Sequence, residues 1–246
     1  MAQIQIAASS DLFFSNKNLS SDKLHKVIVY LDQKFHRHNK KCVLKMHEVG
    51  GNCKIDLKNK KILKGQTSNG KYSEIHMSRG IVEWHSHPSQ CKNKEYCTVD
   101  TPSDTDFINI LLGSLHGGQV HLVYSGYGIW VVRVQLKVID YLKKYPEKLV
   151  PLIKSINYKF NKLHDNFDAS NSKMTIVTYR RRWINLARRF GFTIEKFSNN
   201  TRTIGFELIV SDTMLKHANP KIYSVHVPDS TIRKVDSSLP KSKTEN

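Results

Sequence analysis

The sequence predicts an α+β protein, on the strength of three observations. Short segments of strand length alternate irregularly with segments whose apolar residues recur every three or four positions, so no repeating βαβ order is present. Two strand-like segments, 120–124 and 129–136, are joined by Ser125-Gly126-Tyr127-Gly128, a hairpin signal. Of the 246 residues, 39% are hydrophobic and 24% charged, enough apolar surface for a core. Residues 1–145 are expected to form one mixed sheet with flanking helices. Residues 146–228 are expected to form a linking helix and a small basic α+β domain of βαββ type, and residues 229–246 a disordered tail.

The chain opens with Met1-Ala2-Gln3-Ile4-Gln5-Ile6, which alternates polar and apolar residues and reads as a first strand, not a signal peptide. Ser20-Ser21-Asp22 offers N-cap residues to Leu24, Val27, Ile28, Leu31 and Phe35, whose spacing predicts an amphipathic helix. Residues 42–46 alternate weakly as a short extended piece, Glu48-Val49-Gly50-Gly51 follows, and a second short extended piece is expected near 53–57. The Lys-, Gly-, Ser- and Asn-rich stretch 58–72 reads as a hairpin or loop. Ile81-Val82-Glu83-Trp84 is a compact strand that runs into His85-Ser86-His87-Pro88. After a polar stretch, Pro102-Ser103-Asp104-Thr105-Asp106 starts a helix that Gly113 can close. Beyond Tyr145, residues 152–163 repeat at helical spacing. Residues 174–178 then read as a strand, 179–190 as a helix, and 192–197 and 203–210 as strands.

The chemistry concentrates in the middle of the chain. His85 and His87 are two residues apart at the end of a strand, so they share a face and can share one metal ion. Asp106 is the candidate third ligand. Two histidines and a carboxylate leave a fourth position for water, the pattern of catalytic zinc sites. Each part also has an ordinary reading. Ser103 to Asp106 before an apolar run is a helix-capping box, and an isolated His-x-His is commonly a surface feature.

Taken in order, Glu48-Val49-Gly50-Gly51, then His85-Ser86-His87-Pro88, then Pro102-Ser103-Asp104-Thr105-Asp106 resembles the JAMM metalloproteases of the MPN-domain family over roughly residues 22–136. The resemblance implies an MPN-type domain with one catalytic zinc on His85, His87 and Asp106, Glu48 as general base, and Ser103 assisting the oxyanion. It also implies hydrolysis of a peptide or isopeptide bond, with ubiquitin or ubiquitin-like conjugates as substrates. The interval from His87 to Asp106 exceeds the family's spacing, so 89–101 reads as an inserted loop. Glu74 and Glu83 are the rival bases. Glu83 stands only two residues before His85 on the same strand and Glu74 precedes a turn, so Glu48 is the first candidate. The alternative function is a non-catalytic MPN scaffold, or a nucleic-acid-associated protein that works through its basic C-terminal part.

Four cysteines are too few to build a disulfide scaffold in a chain this long. Cys91 and Cys97 could hold a second, structural zinc with His76 or His47, although free thiols are the default. The 39 Lys and Arg against 21 Asp and Glu leave a net charge of +18, densest beyond Tyr145. Arg180, Arg181, Arg182, Arg188 and Arg189 crowd one predicted helix, as a solvated face or as a dock for nucleic acid or an acidic protein. No apolar run is long enough to span a membrane, and an intracellular, cytoplasmic or nuclear location is expected.

Overall fold

The computed structural model describes residues 4–7, 24–44, 47–70, 80–88, 101–167 and 174–211. The first strand, β1 (Ile4–Ala7), forms as expected. The next element does not, because Leu24–Leu31 is strand β2 rather than a helix. Positions 24, 27, 28 and 31 satisfy a helical period, but Val27-Ile28-Val29-Tyr30 is a β-branched and aromatic run stiff at χ1. In the strand Val29 and Leu31 are buried, whereas Ile28 is 38% exposed. The helix starts only after Asp32, whose carboxylate accepts the Lys34 and Phe35 N–H groups at 2.9 and 3.1 Å. That cap opens α1 (Gln33–Cys42).

Strands β3 (Val49–Asp56) and β4 (Lys61–Asn69) pair antiparallel, with a bulge between Gly51 and Cys53. A β-carbon at Gly51 would lie 1.9 Å from the Gln66 carbonyl oxygen, so the crossing of these backbones requires glycine. Strand β5 (Val82–Ser86) is antiparallel to β3 and parallel to β6 (Val120–Ser125), which turns into β7 (Gly128–Val134) through the expected hairpin. Between β5 and β6 lies α2 (Asp104–Leu115), which runs past Gly113. Strand β7 stops two residues short of Leu136, which begins α3 (Leu136–Lys144).

A 3-10 turn at Pro146–Lys148 leads into the expected linking helix, α4 (Leu149–Asp165). The strand expected at 174–178 is absent. The Thr175 hydroxyl accepts the Thr178 N–H at 3.2 Å and caps α5 (Ile176–Arg189) instead. Strand β8 (Phe192–Phe197) pairs with β7, and β9 (Thr203–Ser211) lies between β1 and β2. The expected βαββ unit therefore does not form, since β8 and β9 are not neighbours. Among the described residues the strands make one mixed sheet of nine, in the order β1-β9-β2-β4-β3-β5-β6-β7-β8, with strands from both sides of residue 145. The tail expected at 229–246 lies outside the described residues.

The sheet is strongly curled, because only residues 198–202 connect β8 at one edge to β9 beside the other. Polar side chains bridge the curl. The Gln119 amide exchanges two hydrogen bonds with the Ile209 backbone at 2.8 and 2.9 Å, and the Arg133 guanidinium donates to the Glu207 carbonyl at 2.9 Å. One apolar core, including Trp84, Leu122, Tyr124, Phe206 and Phe35 of α1, fills the inner side. A second core, with Phe107, Trp130, Phe160, Trp183 and Phe192, packs helices α2 to α5 on the other side. Among the described residues no helix is long and apolar enough to cross a membrane.

Candidate metal centre

Alternation along β5 sends Val82 and Trp84 into the inner core and Glu83 and His85 toward α2. The strand then ends, and the His87 N–H donates to the Tyr124 carbonyl at 2.8 Å, which extends the ladder with β6 by one residue. His87 thereby stays on the same face as His85, and their Nε2 atoms lie 2.9 Å apart.

The capping box at the start of α2 brings in the carboxylate. Ser103 Oγ accepts the Asp106 N–H at 3.0 Å, and Asp106 Oδ2 accepts the Ser103 N–H at 2.6 Å. The same carboxylate reaches the histidines, with Oδ1 3.2 Å from His85 Nε2 and Oδ2 3.2 Å from His87 Nε2. The capping and ligand readings of Asp106 are thus compatible, since the box aims the carboxylate at the histidine pair. Burial opposes ionisation of Asp106, but the His85 charge and hydrogen bonds from both histidines outweigh it and hold the carboxyl well below its usual range.

The donor set fits a small divalent cation. Among the described residues His85, His87 and Asp106 are the group whose ligand atoms converge in this way. A tetrahedral zinc with bonds of about 2.0–2.1 Å separates its ligand atoms by roughly 3.3 Å. The observed 2.9–3.2 Å separations need only a slight opening of the triangle. Three protein ligands leave one tetrahedral position for a reactant.

Glu48 directly precedes β3. Val49 stands opposite Ser86, and the Ser86 hydroxyl lies 3.2 Å from both the N and the O of Val49, which pins the two strand ends together. One further step of this antiparallel register sets Glu48 opposite His87 and on its face, while Gly50 stands opposite His85. Glu48 is half-buried and Ser103 is exposed beside Asp106. Cys91, Cys97, Glu74 and His76 lie outside the described residues, whereas Cys42 and Cys53 are buried and not joined in a disulfide, with Cys42 Sγ 3.7 Å from His38 Nε2.

His121, to which the sequence reading gives no role, and Glu83, which it names only as a rival base, stand directly behind the histidines. His121 Nε2 is 2.8 Å from His85 Nδ1, and His121 Nδ1 is 3.4 Å from Glu83 Oε2. Glu83 Oε1 accepts the Gly80 N–H at 3.0 Å. Burial pushes the His121 pKa down against the opposing pull of Glu83, so its imidazole is neutral near pH 7. Glu83 is therefore turned away from the His87 side of the cluster. The available signal was a lone histidine in the otherwise apolar strand Val120-His121-Leu122-Val123-Tyr124.

The five arginines do not form one cluster. The Arg180 guanidinium lies over the Tyr127 ring at 4.1 Å, while Arg181, Arg182, Arg188 and Arg189 are exposed on the side of α5 opposite buried Tyr179, Trp183 and Ala187. Comparison with protein-family models, curated proteins and solved structures yields no match to this chain.

Proposed function

We propose that the chain is a zinc-dependent hydrolase of JAMM type on an MPN-like fold, which cleaves peptide or isopeptide bonds to remove ubiquitin or a ubiquitin-like modifier. The observation that carries this reading is the convergence of His85, His87 and Asp106 donor atoms to within 2.9–3.2 Å on a strand end and a helix start. A zinc ion held there supplies Lewis acidity toward the scissile carbonyl and a nucleophilic water near neutral pH. His85, His87 and Asp106 hold it. Glu48, one strand over from His87, accepts a proton from the attacking water and returns it to the leaving amine. Ser103, at the edge of the site, keeps its hydroxyl proton for the carbonyl oxygen while its lone pair accepts the Asp106 N–H. The test pairs elemental analysis of the purified chain with a panel of ubiquitin-like conjugates. The expected result is about one zinc per chain and cleavage that chelation abolishes. A zinc-loaded chain that cleaves none of them would leave a non-catalytic scaffold in place of the enzyme.

A second reading concerns partners. Among the described residues none of the four exposed arginines of α5 is paired with a carboxylate, and the helix itself contains no acid. Such a face suits the phosphates of a nucleic acid or an acidic protein. Charge reversal of Arg181, Arg182 and Arg188 should abolish salt-sensitive binding to RNA, DNA or acidic protein; unchanged binding at low salt would reduce the face to a solvated one.

A further inference from the structure

We propose that His121 and Glu83 are a buried positioning pair that sets the tautomer and the ring orientation of His85; the role rests on the metal-centre reading above. His85, His121 and Glu83 are each at most 4% exposed, so bulk solvent does not complete their hydrogen bonds. The contacts form a single line from the ligand cluster inward: His85 Nε2 faces His87 and Asp106, His85 Nδ1 meets His121 Nε2 at 2.8 Å, and His121 Nδ1 faces Glu83 at 3.4 Å.

Only one arrangement of protons makes every link favourable when His85 Nε2 is a ligand. His85 then carries its proton on Nδ1 and donates it to His121 Nε2. His121 must therefore carry its own proton on Nδ1, the nitrogen 3.4 Å from the Glu83 carboxylate, an electrostatic contact longer than an ordinary hydrogen bond. The Gly80 N–H, which donates to the other Glu83 oxygen at 3.0 Å, holds that carboxylate in place. A histidine ligand whose second nitrogen is held by an outer partner is a general device for fixing tautomer and raising ligand basicity. In this chain an imidazole is interposed between the ligand and the carboxylate.

Sheet register builds the line. Strands β5 and β6 run parallel with Glu83 beside His121, and Glu83 and His85 share a face of β5. His121 is thus presented by the neighbouring strand to both residues at once. His121 and Glu83 both border a cavity of about 10 Å³ also lined by Ser114 and Gln119, room for no more than one water. The pair meets the ligand cluster at the contact of His121 Nε2 with His85 Nδ1, so its effect on chemistry passes through His85.

The test compares wild type with His121→Phe, which keeps a ring but removes the acceptor, and His121→Gln, which restores an acceptor near the Nε2 position. Zinc affinity is read by chelator competition, and ligand geometry from the visible absorption of the cobalt(II)-loaded proteins. His121→Phe should bind zinc about 10- to 100-fold more weakly and shift the cobalt bands, with His121→Gln recovering much of both. Nitrogen-detected NMR of the zinc-loaded wild type should show protons on Nδ1 of both His85 and His121. If His121→Phe fails to fold, the His121→Gln affinity and the wild-type tautomers still decide. Wild-type zinc affinity and cobalt bands in a folded His121→Phe, or an Nε2 proton on His121, would overturn the pair while leaving the metal centre standing. Failure of the wild type to bind zinc or cobalt would overturn the metal centre and the pair together.

Discussion

The two faces of the five-residue strand β5 are equally buried and chemically opposite. Val82 and Trp84 look into the inner core, where Trp84 meets Phe35 and Tyr124 edge-on at ring distances of 5.7 and 6.2 Å. Glu83 and His85 look toward α2, where each polar atom depends on a specific partner. Apolar burial is non-directional, so Val82 and Trp84 constrain mainly volume, and the directional contact on their face is the Ser86 hydroxyl against Val49 at the strand's end. A buried polar row is stable only when its donors and acceptors meet, so the same strand fixes angles and proton positions on its other side. Stability and chemistry are thereby assigned to opposite sides of one strand, and perturbing the two sides should give different signatures.

The largest separation is expected from Trp84→Ala, which should cost about 3–5 kcal/mol of stability through the cavity it leaves. Chemical denaturation measures the loss. Zinc stoichiometry of the folded fraction should be retained, and its disappearance would mean that the two faces are not independent. On the polar side, Glu48→Gln should slow turnover by about 10²–10⁴-fold with stability and zinc content nearly unchanged. Single-turnover cleavage of any conjugate that the wild type accepts provides the measure. A wild-type rate would move the base away from Glu48.

Ser103→Ala should remove the N-cap and cost about 1 kcal/mol, read by thermal unfolding of the metal-free protein. It should also weaken zinc binding, since the capping box aims Asp106. A stability loss with zinc affinity untouched would separate the cap from the site.

The smallest effect should be on pH dependence. His36, against Tyr124 on the inner face, and His121 on the outer are both held below the ordinary value of 6.5, in each case chiefly by burial. Each takes up a proton more readily in the unfolded chain. Both therefore contribute stability above about pH 6.5 that is lost as the pH falls through their folded values. Denaturation midpoints of the metal-free protein should decline from about pH 7 to about pH 5, and His36→Gln should remove the inner-face share. A flat profile would show that neither face discriminates against the imidazolium.

What could be read from the sequence was what is local. His85, His87 and the capping box around Asp106 each lie within a few residues, and their strand-end and helix-start settings follow from alternation and capping rules. His121 was missed because its partners come from the β5–β6 register, 36 residues from His85 and invisible to local periodicity. The apolar spacing of β2 satisfies both the helical and the strand period, and its β-branched run and the Asp32 cap are the signals that decide for a strand. The βαββ expectation failed for the same reason as His121. Residues 192–197 and 203–210 read as strands from local pattern, but β8 finds its partner at one end of the sheet and β9 near the other.

The central claim is that His85, His87 and Asp106 hold one zinc, and metal stoichiometry tests it most directly. Elemental analysis of the purified wild type should find about one zinc per chain, and a folded His85→Ala/His87→Ala variant, verified by circular dichroism, should find almost none. Undiminished zinc in that folded variant would place the metal elsewhere and contradict the account.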